Sequence, residues 1–352
     1  MKFCILTFIL GCPTLLLAQG AVEVGAPSRY DSTRSVYIKS YPDHFALWPV
    51  FKQRSLDFRL EDLPHRDRRL RFNSNKTYGF GVGAYIFEVV IELTVAVPLA
   101  EKDEAIYGDS KARDLQVNLF GKKWGLDFFR QKYEGFYLTD PKMNIPANTP
   151  YPQRDDITTH NWRATGSYIF NNKKFSFRSA YNFTESQLRS AGSFVVFGSV
   201  SGFKTEGDSA ILGHNYDADF GRDSKVLKFK STAISFAPGY TYSLIHKGFF
   251  INGTVALGPS HNWLYYRTET GETGKDLNFT AFFLARLSLG YNGDRFFGGV
   301  SYVSQGVNAK FETVQLNTST GQLKVLFGYR FREFGFLKKR LLDLPKYLGI
   351  TS

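Results

Sequence analysis

Cysteine is almost missing from this chain: Cys4 and Cys12 are the only two in 352 residues. Everything after Cys12 is thiol-free, which excludes a disulfide framework, a Cys nucleophile and a thiolate metal site from the rest of the chain. Histidine is scarce too, at six, and none falls at a metal-binding spacing. After the first twenty residues no apolar run approaches eighteen, so a transmembrane helix is not expected there. What is abundant is Phe (34), Tyr (20) and Gly (32) against two Met. That balance suits many strands with one apolar and one polar face.

The chain opens MKFCILTFILGCPTLLLAQG. Lys2, an apolar stretch to Leu17, and small Ala18 and Gly20 read as a secretory signal over 1–20. Ile9-Leu10-Gly11-Cys12 offers a lipoprotein-like alternative, which Pro13 disfavours. The formal charge of +12 would permit a nucleic-acid partner, but an export signal argues against one. Anionic glycolipid, polysaccharide or a small anionic solute fits better.

Period-two alternation recurs along the chain. VVIELTVAV (89–97) puts Ile91, Leu93 and Val95 on one face and Glu92 and Thr94 on the other. YGFGVGAYI (78–86), DLQVNL (114–119), FSFRSAYNF (175–183) and ARLSL (285–289) repeat the pattern. A soluble β-barrel with its apolar face inward would look the same. Three features favour an inside-out barrel in a membrane. The apolar faces run about nine residues, the opposite faces are small and polar, and short connections alternate with long ones.

Threading that rhythm gives twelve strands, near 53–60, 77–87, 88–98, 113–120, 124–138, 157–170, 174–184, 227–243, 248–258, 276–290, 295–305 and 323–331. Long outer loops are expected at 61–76, 99–112, 139–156, 185–226, 259–275 and 306–322. Residues 193–203 (SFVVFGSVSGF) also read as a strand; pairing them with 308–316 would raise the count to fourteen. The expected fold is therefore an all-β, antiparallel transmembrane barrel over 53–331. A periplasmic lead-in (21–52) precedes it, and a short amphipathic helix (332–352) follows on the periplasmic side. The strand QLKVLFGYRF, with Gly328, Tyr329 and Phe331, is the one expected to close the barrel.

Seven charged residues fall on the inner face of that threading: Glu92, Asp114, Arg163, Arg178, Arg286, Lys324 and Arg330. Rings of Arg and Lys make a lumen anion-selective. The same residues would equally form a paired network filling a narrow interior, since a lone buried charge is costly. In GHNYDADF, His214, Asp217 and Asp219 meet in an outer loop, the chemistry of a rim hydrolase, although an Asp-rich loop is usually just solvated. Arg66, Arg68, Arg69 and Arg71 could grip glycolipid phosphates or simply face water.

The segments SKARDLQVNLFGKKWGLDFFRQKYEGFYL (110–138), QLRSAGS (187–193), GDSAI (207–211) and FGYRF (327–331) resemble an uncharacterised Gram-negative barrel family known as domain of unknown function 4421. The resemblance implies an outer-membrane-type barrel and carries over no catalytic, cofactor or metal residue. The expectation is a non-enzymatic bacterial outer-membrane barrel without cofactor, acting as a narrow channel or a receptor for anionic or saccharide ligands. Its partners would be outer-membrane lipid and the barrel-assembly machinery. A rim hydrolase and a structural protein with a plugged lumen are the rivals.

Overall fold

A computed structural model describes residues 32–333, apart from 66, 76, 87–88, 98–99, 141, 213–224 and 312–313. The leader, the helix expected after Glu333, Arg66 and the rim trio His214, Asp217 and Asp219 lie outside the described residues.

The strands follow the alternation. In chain order they are β1 (Ile38–Ser40), β2 (His44–Asp62), β3 (Arg69–Asn73), β4 (Thr77–Ile86), β5 (Val89–Val97), β6 (Lys111–Phe120), β7 (Trp124–Thr139) and β8 (Gln153–Ile169). After these come β9 (Glu185–Gln187), β10 (Ala191–Glu206), β11 (Val226–His246), β12 (Phe249–Thr268), β13 (Thr273–Asn292), β14 (Phe296–Phe311) and β15 (Val314–Arg332). Three short helices intervene: α1 (Ser32–Tyr37), α2 (Glu101–Tyr107) and α3 (Phe177–Tyr181). None of the described helices is long and apolar enough to cross a membrane.

The sheet closes on itself. Antiparallel ladders run β2–β3–β7–β8–β10–β11–β12–β13–β14–β15, and β15 returns to β2, from Val314↔Asp62 down to Arg332↔His44. The strand ending in Tyr329 and Phe331 is thus the closing strand, as read from the sequence. Gly328 is there because the Phe297 ring crosses its position; a Cβ would lie 2.2 Å from that ring. The hydrogen-bonded circuit has ten members rather than twelve. On one side the wall is built in two tiers. Short β3 bridges β2 to β7 in the upper half, while β4 and β5 hang from β2 and β6 hangs from β7 below it. Among the described residues no ladder joins β5 to β6.

The barrel is inside-out. Leu93, Val95, Phe194 and Phe279 are 69%, 72%, 70% and 77% exposed on its outer face. At mid-height Ser199, Ser235, Thr241, Asn252 and Asn262 are buried inside. A soluble barrel could not leave such an apolar belt in water; a membrane barrel requires it.

Two expectations are corrected. Residues 174–184 are not a wall strand. The chain between β8 and β10 turns into the lumen, with α3 and β9 inside the turn end of the barrel, and β10 is the strand that 193–203 signalled. Residues 175–183 alternate because aromatic side chains meet the wall while Ser, Arg and Asn between them make hydrogen bonds. Enclosure on every side leaves no exposed face to give the segment away. Fourteen strands do not form either: β10 pairs with β8 and β11, not with 308–316.

The second correction concerns length. The expected loops 259–275 and 306–322 are mostly strand, and β2 starts at His44 rather than 53. β12 and β13 each have 20 residues. At about 3.3 Å per residue they reach roughly 66 Å, well past the 9–11 residues a bilayer needs. Pro259 and His261 interrupt the outward apolar row and Tyr265 lies past its edge, so this stretch looks like loop in the sequence, although Ser260, Asn262 and Leu264 between them stay buried.

Candidate functional site

The interior has three layers. At the turn end a plug fills it. Phe175, Phe177, Tyr181 and Phe183 pack against Trp48, Phe250 and Phe297 of the wall. Polar bonds lock the plug in place. Tyr181 Oη donates to Asn252 Oδ1 at 2.6 Å, Ser288 Oγ to the Ala180 carbonyl at 2.7 Å, and Asn292 Nδ2 to the Ser179 and Glu185 carbonyls at 2.9 Å. β1 pairs antiparallel with β9, so the N-terminal segment straps the plug from below.

At the loop end a second apolar stack closes the lumen. Phe58, Phe72, Phe136 and Phe203 are joined there by Ile211 and Leu212, which come from the connection after β10. Phe58 and Phe72 stack at 4.5 Å. A positive φ of 84° at Gly135 accompanies a bulge in β7 that brings Phe136 inward. Above the stack, Arg154 donates to the Ala210 and Ile211 carbonyls at 2.8 and 2.9 Å and pairs with Asp156 at 2.7 Å. Asp156 also accepts the Asp208 amide. The hydrogen bond from Arg154 holds the Asp156 carboxyl below the usual carboxylate range.

Between the two stacks lies a polar layer with a cavity of about 70 Å³, bordered by Glu92, Asp127, Tyr181, Arg286, Gln305 and Lys324. Four of the seven charged residues singled out above meet this layer. Glu92 takes Lys52 at 2.5 Å, Lys324 at 3.3 Å and the Trp48 indole N–H at 3.2 Å. Arg286 pairs with Asp127 at 2.6 Å and lies over the Phe197 ring at 5.4 Å. Arg163 is different. It is 3% exposed, donates to Gln305 Oε1 at 2.8 Å, and rests between the Phe129 and Phe282 rings. Among the described residues it has no carboxylate partner, and its Nε is unbonded.

The other three separate from that group. Arg178 sits on the plug, not on a strand, and pairs with Glu185 at 3.6 Å; Arg34 holds the same carboxylate at 2.8 Å. Arg330 is deep in the turn-end layer. It donates to Asn292 Oδ1 at 2.7 Å and to the Phe183 carbonyl, and is stacked 4.2 Å from Tyr41 and 4.6 Å from Phe297. The side chain of Asp114 lies outside the described residues. Sequence reasoning missed Asp127, Lys52, Gln305 and Glu185. Asp127 had a readable signal, as the inner position of a strictly alternating Leu126-Asp127-Phe128. Glu185 had none, because it stands where a strand was expected to end.

Of the loop run, Arg71 is occupied by Asp57 at 2.6 Å. Among the described residues no cluster of His, Cys, Asp and Glu could hold a metal ion.

No curated relative matches the chain. Its shape is similar to solved structures of outer-membrane proteins. The outer membrane protease OmpT of Escherichia coli is 9% identical, with 83% of this chain and 98% of that one covered and a TM-score of 0.41. Ail, the attachment invasion locus protein of Yersinia pestis, is 13% identical, with 59% and 97% covered and a TM-score of 0.25. An outer membrane channel from Pseudomonas putida F1 is 11% identical, with 83% and 97% covered and a TM-score of 0.29. The family match takes in the plug and every wall strand up to Phe331 in the closing one. With its model matched over residues 29–331, the chain belongs to the family described as Domain of unknown function (DUF4421).

Proposed function

We propose that this is a non-enzymatic outer-membrane barrel, closed at rest, whose polar mid-section takes a small anionic or saccharide solute when the plug moves. Arg163 carries the reading. An enclosed guanidinium without a carboxylate is costly unless something anionic or strongly hydrogen-bonding completes it. Ser201, Ser231 and Thr318 hydroxyls border the small space beside it and add hydrogen-bonding groups to this part of the interior. Of the other described inner charges, Glu92, Lys52, Lys324, Asp127, Arg286, Arg178 and Glu185 are in ion pairs and Arg330 is held by Asn292 and backbone carbonyls, so they act first as braces.

Outer-membrane lipid and the barrel-assembly machinery are the partners this placement requires. The plug makes the intact barrel a receptor or gated channel rather than an open pore. Single-channel recording in a planar bilayer tests the proposal. The full-length protein should be silent, and a variant lacking residues 172–187 and carrying Phe58→Ser, Phe136→Ser and Phe203→Ser in the loop-end stack should conduct with anion preference that falls in Arg163→Gln. Steady current from the intact protein would sink the closed state. A silent variant opened at both ends in this way that still folds would leave only the structural-wall reading.

A further inference from the structure

The outer face carries charge in a pattern that the lumen does not explain. Register aligns one row of outward side chains across seven strands. Arg113 of β6 lies opposite Lys132 of β7, Lys132 opposite His160 of β8, and His160 opposite Lys204 of β10. Lys204 lies opposite Lys230 of β11, Lys230 opposite Tyr265 of β12, and Tyr265 opposite Lys275 of β13. The row one step toward the turn end holds Leu115, Arg130, Trp162, Trp263 and Leu277, the edge of the apolar belt. Cations therefore gather where lipid contact ends.

The next row outward adds Lys111, Lys228 and Arg267, with Glu134 and Glu206 between them. Those two carboxylates are taken up locally: Glu134 by Lys132, and Glu206 by Lys204 and Lys228. Arg113, Lys230, Arg267 and Lys275 have no carboxylate partner among the described residues. Directly opposed side chains sit about 5 Å apart across a ladder, and like charges there are destabilising. Lys204 faces Lys230 in that way.

The opposite side of the barrel is unlike this. Beyond its apolar rows β14, β15 and β2 present Asn308, Asn317 and Arg59 in one row and Lys310, Gln315 and Glu61 in the next, and Arg59 and Arg71 are paired with Glu61 and Asp57. Cations without a carboxylate partner are more numerous on the β6–β13 face than on β14, β15 and β2. A general need for positive charge at a membrane boundary would not be so uneven.

We propose that this face binds the phosphate groups of an anionic glycolipid in the adjoining outer leaflet, acyl chains on the Trp162–Trp263 belt and phosphates on Arg113, Lys230, Arg267 and Lys275. Phosphate oxygens supply the counter-charge that the row lacks, and Arg offers the bidentate fork suited to them. The aromatic rings place the boundary at the right depth. The site rests on the outer-membrane placement proposed above and is independent of what the lumen does.

Native mass spectrometry of the full-length barrel, exchanged from mixed micelles holding bis-phosphorylated lipid A, tests it. The wild type should retain lipid A at least about tenfold more than its dephosphorylated form, as each basic group near a membrane surface contributes about 1 kcal/mol. Lys230→Gln/Lys275→Gln/Arg267→Gln should lose that preference. Arg59→Gln/Arg71→Gln, on β2 and β3 outside that row, should keep it and also shows that charge removal alone leaves the barrel folded. Equal retention of both lipids, or a triple variant that behaves as wild type, would overturn the proposal. Displacement by millimolar inorganic phosphate alone would overturn the assignment to a lipid. Lipid retention in a barrel whose lumen proves inert would leave this site standing.

Discussion

Arg286 and Asp127 face each other from opposite walls of the barrel, β13 and β7, and their side chains meet in the lumen at 2.6 Å. Arg163 on β8 makes the matching span to Gln305 on β14. Two struts thus cross the interior between the plug and the upper stack. Asp127→Asn should leave Arg286 enclosed without its counter-charge and cost about 3–5 kcal/mol, whereas Asp127→Leu/Arg286→Met should cost much less. Urea unfolding of the barrel in vesicles separates these. A double variant as weak as the single would show that the pair is not the brace argued here.

Glu92 holds two lysines at once. Glu92→Gln should therefore destabilise more than Lys324→Met, since it strands both Lys52 and Lys324 in the interior. Heat-shifted gel mobility of the folded barrel reads the order directly, and the reverse ranking refutes it.

On the outer wall the cost of a charge should depend on depth. Val255→Arg, in the middle of the belt, is expected to cost about 2–4 kcal/mol on folding into vesicles. Tyr265→Arg, in the basic row, is expected to cost about 0–1 kcal/mol. Similar values at both positions would mean that the belt is not where the lipid lies.

That boundary also explains what the sequence could and could not disclose. Inside the belt, Leu93 out and Glu92 in gave the strand, its face and its inner charge together. Near its edge, Pro259 and His261 break the outward apolar row before Trp263, so strand was read as loop. The plug misled for the opposite reason: Phe175, Phe177 and Phe183 keep a strand's rhythm while filling a lumen. Arg163, Arg286 and Lys324 were legible as inner charges, but their partners across the barrel were not. Gln305 and Asp127 lie 142 and 159 residues from theirs, and closure of the ring brings them together.

The loop-end cap gives a pH prediction. Arg154 depresses the Asp156 carboxyl, so the clasp it contributes is complete above the ordinary aspartate value of about 3.9 and fades as pH falls through the lower folded value. Proteolysis of residues 207–212 should be slow and flat from pH 8 to about 4. Asp156→Asn should make it fast at neutral pH. A cut rate that climbs between pH 7 and 5 would assign the clasp to another group.

Topology has its own check. Epitope tags at 144–149 should be cleaved by protease in intact cells, and tags at 247–248 should be cleaved only after the envelope is opened. The reverse result would invert the barrel.

β9 pairs with β1 inside the turn-end mouth, while the ring is sealed where β15 meets β2, the last wall strand beside the first. The N-terminal end of the chain is thus committed twice, through β1 to the plug inside and through β2 to β15 at the seam, so one stretch of chain ties interior and wall together.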